Sequence, residues 1–138
     1  MAGDPYIEYA REVVAKDPMA VHLGIELLEV AESHARLSIP VRPEYCNALS
    51  RAHGMLISSL ADQCVAVAAN TLEDRALVIE LKVNYLAAAY PGLALVGEAK
   101  PVDRKRTLSL WEVRISQEER LIAVAQALTY SQPRHRTS

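Results

Sequence analysis

The segment NALSRAHGMLISSLADQCVAVAAN, residues 47–70, carries one acid, Asp62, inside a largely apolar run. A carboxylate among apolar side chains loses its hydration, so it must be hydrogen-bonded, protonated, or open to a cavity that holds water or ligand. Helical spacing puts Ser58 and Ser59 on one stripe with Asp62. Two readings follow: a structural acid bonded to Ser58 or Ser59, or a carboxylate kept for chemistry as base or nucleophile. Upstream, Arg51-Ala52-His53-Gly54 leads into the same helix. The Gly54 N–H therefore falls among first-turn donors that have no intrahelical acceptor, at the positive end of the helix dipole. Such donors suit the oxygen of a polarised carbonyl, as in an oxyanion hole. The alternative is a glycine that allows close packing, with Ser50 or His53 capping the helix.

Helix geometry constrains these readings. At 1.5 Å per residue, Gly54 and Asp62 lie about 12 Å apart along the axis. Groups serving one reacting atom must approach it to about 3 Å, so donor and acid can act together only if they come from two subunits. Catalysis by both implies a dimer.

The elements that must position these residues are legible from periodicity. Residues 5–16 read as a short amphipathic helix with Asp4 as N-cap before Pro5, ending near Asp17-Pro18. Residues 21–31 and 34–41 read as strands, with Pro40 marking an edge or a strand end. Residues 47–70 read as a long helix entered through a polar turn, with Gly54 in its first turn, and the helix is apolar nearly all round, the pattern of a helix enclosed by a curved sheet. Strands follow at 76–86, 93–102, 107–116 and 120–130, the last three in meander order. The expected architecture is one α+β domain, residues 1–138, in the order α-β-β-α-β-β-β-β, with residues 131–138 as a disordered tail. One short helix cannot cover what the sheet leaves open on the central helix, so a second subunit is expected there.

Composition narrows the class. A chain of 138 residues that is 51% hydrophobic fits one domain with a real core. A net charge of −2 gives no footprint for nucleic acid, and no apolar run is long enough to span a membrane. The N-terminal residues lack the order of a secretory signal, which points to a cytoplasmic protein. Cys46 and Cys64 have no CxxC or Cys/His context and read as reduced thiols. His22, His34 and His135 have no partners at ligand spacing, so no metal is expected. With five glycines and neither GxGxxG nor a P-loop, dinucleotide and nucleoside-triphosphate chemistry is disfavoured.

The run Asn47-x5-His53-Gly54, then Leu60-Ala61-Asp62, set between strands in this order, resembles the PaaI-like acyl-CoA thioesterases of the hotdog fold. The resemblance extends through Lys82-Val83-Asn84-Tyr85 to the last strands and includes Gly24. It implies a curved antiparallel sheet wrapped around a long central helix, sheets joined edge to edge in a dimer, and a homotetramer built as a dimer of dimers. It further implies a site at the dimer interface where Asp62 is nucleophile or general base, Gly54 N–H is the oxyanion donor, and Asn47 and His53 position the thioester or the attacking water. The expected reaction is hydrolysis of an aromatic or medium-chain acyl-CoA to free acid and coenzyme A. Coenzyme A is then part of the substrate, and no separate cofactor is expected.

Three positions depart from the family pattern. His53-Gly54-Met55 stands where the family commonly has His-Gly-Gly, and Ser50 stands where it commonly has glycine. Val78 occupies the strand position where some members carry a serine or threonine beside the acid. Met55 is expected to narrow the substrate pocket, which Ser58 and Ser59 also line. Asp103-Arg104-Lys105-Arg106 reads either as a solvated turn or as a clamp in which Arg104, Lys105 and Arg106 hold coenzyme A phosphates. The alternative function, from a different class, is a catalytically silent hotdog module that binds or senses acyl-CoA. A dehydratase is disfavoured because no Asp-x4-His pair of the hydratase kind is present.

Overall fold

The computed structural model describes residues 3–134. Asp4 caps helix α1 (Pro5–Tyr9) by accepting from the N–H groups of Tyr6 and Ile7, and a π-helical turn, Ala10–Val14, continues it. Helix α2 (Pro18–Leu23) then occupies the start of the expected first strand. The reason is local: Asp17 accepts from the Ala20 N–H, Pro18 sits where a helix tolerates it, and Gly24 closes the helix in a left-handed conformation with φ of 81°. The first strand, β1 (Glu26–Ala31), begins only after that stop.

Strand β2 (His34–Ile39) ends before Pro40, and the central helix α3 runs Gly54–Ala69. Strands β3 (Arg75–Tyr85), β4 (Leu95–Arg104), β5 (Leu108–Gln117) and β6 (Arg120–Gln132) complete one antiparallel sheet in the order β1-β2-β4-β5-β6-β3. Strand β6 reaches past residue 130 into the expected tail, and Arg134 bonds back to the carbonyls of Asn70, Leu72 and Glu73. The remainder of that expected tail, residues 135–138, lies outside the described residues. No helix among the described residues is long and apolar enough to cross a membrane.

The sheet curves around α3, the arrangement of the hotdog fold. Leu56, Ile57, Leu60, Ala61, Cys64, Val65 and Ala68 of α3 are buried with Leu37 and Ile39 of β2 and Trp111 and Val113 of β5. Gly97 of β4 permits the close approach: a Cβ there would lie 2.8 Å from Cys64 Sγ and 3.2 Å from Leu60 Cγ. The far end of α3 is tied to β3 by Asn70, whose side chain bonds both the N–H and the C=O of Ala76. Near the other end of α3, Tyr85, the last residue of β3, reaches Gly54. Strand β3 therefore runs antiparallel to α3 and, among the described residues, pairs only with β6, which leaves its other edge free.

As expected of a single chain, α3 keeps one stripe uncovered. Met55 is 69% exposed, Asp62 is exposed, and Ser58 and Ser59 are only partly covered. The sheet and the π-helical turn, whose Val14 carbonyl accepts from Gln63, leave this stripe open.

Candidate active site

His53 caps α3: its Nδ1 accepts the Met55 N–H at 3.1 Å, and its carbonyl accepts from Leu56 at 2.9 Å and Ile57 at 3.3 Å. Accepting at Nδ1 requires that nitrogen to be unprotonated, which leaves Nε2 to carry the ring proton. After these bonds, Gly54 holds the one N–H of the first turn without an acceptor among the described residues. It points from the positive end of a 16-residue helix, the requirement for stabilising a developing oxyanion.

Asn47 lies on the preceding turn. Its Oδ1 accepts from the Leu49 N–H at 2.9 Å and the Arg51 N–H at 3.2 Å. The turn uses the carbonyl side of this amide, so only the NH2 remains to meet another group, as a donor. Ser50 closes the turn with φ of 62°, the left-handed region in which glycine is free of strain.

Asp62 has no hydrogen-bond partner among the described residues: Ser59 Oγ bonds the Met55 carbonyl at 2.8 Å, and Ser58 Oγ lies 2.6 Å from Tyr85 Oη. The structural-acid reading through Ser58 or Ser59 therefore has no geometric support. Burial by surrounding protein raises the Asp62 pKa above the ordinary carboxylate value, and the charge of Asp17 adds to the rise. Asp62 is exposed as a residue while its carboxyl is partly desolvated. Gly54, Ser58 and Asp62 stand at successive i,i+4 positions on one open stripe.

A cavity of about 200 Å³ opens beside His53, bordered by Leu23, Glu44, Tyr45, Cys46, Met55, Leu56 and Ser59. Its walls are mainly apolar, with Met55 at the rim. Val78, the position without a hydroxyl, is partly buried against the core.

Arg104, Lys105 and Arg106 do not join these groups within one chain. Arg104 donates to Ser33 Oγ at 2.9 Å and to the Ala69 carbonyl at 3.4 Å, and its guanidinium lies 4.9 Å from the centre of the Trp111 ring. Burial lowers its pKa. It closes the C-terminal end of α3, whereas Gly54 opens the N-terminal end about 22 Å away. Lys105 and Arg106 border a separate cleft of about 400 Å³ with Glu73 and Asp74. Sequence reasoning gave no role to Tyr85 or Asp17. The first is signalled by alternation with Leu81 and Val83, the second by its capping position before Pro18.

A free donor at the positive end of the central helix and an unbonded carboxyl on the same stripe are the groups that transfer of an acyl group to water requires, set on a helix inside a curved antiparallel sheet. Residues 50–124 match the thioesterase superfamily. A candidate esterase of Archaeoglobus fulgidus is 37% identical over 127 residues, covering 90% of this chain and 82% of that protein. The acyl-coenzyme A thioesterase PaaI of Escherichia coli is 23% identical over 116 residues, covering 83% of each chain. The structure of the E. coli PaaI protein from the phenylacetic acid degradation operon superposes with a TM-score of 0.88 over 95% of this chain and 96% of that one, at 20% identity. The chain belongs to the thioesterase superfamily, is PaaI-like, and is a thioester hydrolase.

Proposed function

We propose that this protein hydrolyses an aromatic or medium-chain acyl-CoA to the free acid and coenzyme A, in a site shared by two subunits. The observation that carries the reading is the pairing, on one open stripe of α3, of an unsatisfied Gly54 N–H with an unbonded, pKa-raised Asp62. Gly54 N–H receives the thioester oxygen, the Asn47 NH2 and His53 Nε2–H orient the acyl-CoA, and Asp62 of the facing subunit activates water or attacks directly. The cavity beside His53 receives the acyl group, with Met55 limiting its size.

Edge strand β3 supports the dimer. Its free edge carries exposed Leu77 and Ile79, a liability for an isolated sheet and a template for pairing with a second copy. Antiparallel pairing of two β3 strands about a two-fold axis exchanges the ends of the two central helices. That operation moves the partner's Arg104–Arg106 turn from the far end of its own helix toward this chain's Gly54. Lys105 and Arg106 are then the residues for coenzyme A phosphates, with Arg104 bracing the turn. The tetramer is a pair of such dimers, and the working location is the cytoplasm.

The experiment is an assay of the purified protein against a panel of acyl-CoAs, repeated with Asp62→Asn. Turnover by the wild type and its loss in the variant, with acyl-CoA binding retained, supports the reading. Tight acyl-CoA binding without turnover by the wild type favours a sensing module, and neither binding nor turnover removes the acyl-CoA assignment.

A further inference from the structure

The contact between Tyr85 and α3 has a definite proton count. Tyr85 Oη lies 2.6 Å from Ser58 Oγ and 3.2 Å from the Gly54 carbonyl oxygen. A carbonyl cannot donate and a phenol has one proton, so Tyr85 donates to the Gly54 carbonyl and Ser58 donates to Tyr85. The opposite choice would leave two acceptor oxygens facing each other. Ser58 Oγ is thereby committed as a donor on one side and left with a free acceptor lone pair on the open stripe. The Tyr85 ring passes close over Gly54: a Cβ there would lie 3.4 Å from Tyr85 Cζ.

The spacing matches an attacking water. Ser58 stands four residues after Gly54, about 6 Å along the helix. A carbonyl oxygen about 3 Å from the Gly54 N–H, and a water about 3 Å from the carbonyl carbon, together span roughly that distance. Resting on the shared-site reading above, we propose that Ser58 and Tyr85 hold the attacking water: Ser58 Oγ accepts a hydrogen bond from one of its O–H groups, which stays on the oxygen, and Tyr85 is the positioning residue that fixes Ser58 as acceptor. The partner subunit's Asp62 takes the other proton as the water oxygen bonds to the thioester carbon. The resulting oxyanion rests on Gly54 N–H, then re-forms the carbonyl as the C–S bond breaks. The departing thiolate recovers a proton from the Asp62 carboxyl, giving acid and thiol with nothing oxidised or reduced.

The test compares Ser58→Ala, Tyr85→Phe and the double variant by steady-state kinetics and thermal unfolding, with Asp62→Asn alongside. Each single variant is expected to lower kcat by about 3- to 10-fold, the effect of one hydrogen bond, with KM and melting temperature little changed. Because Tyr85 acts through Ser58, the double variant should be no slower than Ser58→Ala. Unchanged kcat in Tyr85→Phe, a multiplicative loss in the double variant, or a loss of kcat that tracks a fall in melting temperature overturns the proposal. If any of these occurs while the wild type hydrolyses acyl-CoA and Asp62→Asn does not, only this inference fails. Absence of wild-type turnover across the acyl-CoA panel removes the functional reading and this inference with it.

Discussion

The carboxylate of Asp17, which caps α2, adds its charge to the desolvation that raises the pKa of Asp62 in α3. A raised carboxyl binds protons more readily folded than unfolded, so charged Asp62 costs stability once pH exceeds its unfolded pKa, and the cost is complete above the raised folded value. The same carboxyl must be ionised to act as base or nucleophile. Asp62→Asn is therefore expected to lower kcat by about 10²-fold or more while raising the melting temperature at neutral pH. Asp17→Asn keeps a capping side chain but removes the charge. It should move the acid limb of the kcat/KM profile to lower pH, and an unmoved limb would detach Asp17 from the site.

Ser50 holds the left-handed conformation that its turn requires. Ser50→Gly releases strain of about 1–2 kcal/mol against a backbone-entropy cost of about 0.5–1 kcal/mol, so denaturant titration should show a net gain of about 0.5–1 kcal/mol. A loss of stability would mean that the serine side chain contributes something its backbone geometry does not explain.

The basic turn separates into two tasks. Arg104→Gln removes the bond to the Ala69 carbonyl and the contact with Trp111, and unfolding should be easier by about 1–3 kcal/mol. Neutralising Lys105 and Arg106 together should leave the melting temperature near that of the wild type, raise KM, and weaken its salt dependence. An unchanged KM reduces these two residues to a solvated turn.

Most of the fold was legible because its signals are local. Alternation in residues 76–86 and the apolar run behind Gly54 located β3 and α3 within a residue or two. Helix α2 was missed because AVHLGIELLEV is apolar enough for either period, and the deciding signals were a cap at Asp17 and a stop at Gly24. On the site, spacing alone put Gly54 and Asp62 on one helix too far apart to serve one atom. It could not reveal that His53 takes the Met55 N–H and thereby leaves Gly54 as the free donor. Nor could it place Arg104 under the end of α3 or Tyr85 against Ser58, since those contacts join segments 27 or more residues apart.

The free edge of β3 gives a direct expectation for assembly. Sedimentation should find at least a dimer at micromolar concentration, and Leu77→Lys with Ile79→Lys should yield inactive monomer, because charged side chains on an edge oppose strand pairing. A stable, active wild-type monomer would contradict both the pairing and the shared site.

The shared site itself is best tested by complementation between two inactive variants. Gly54→Pro removes the N–H at a first helical position that accepts proline, after an extended His53. Asp62→Asn removes the acid. Each alone should be inactive while remaining folded and dimeric. Co-expressed in equal amounts, they form mixed dimers in which one of the two sites regains both Gly54 and Asp62, so the mixture should recover about a quarter of wild-type turnover. A mixture as inactive as its parents, with mixed dimers demonstrably present, would contradict a site built from two subunits.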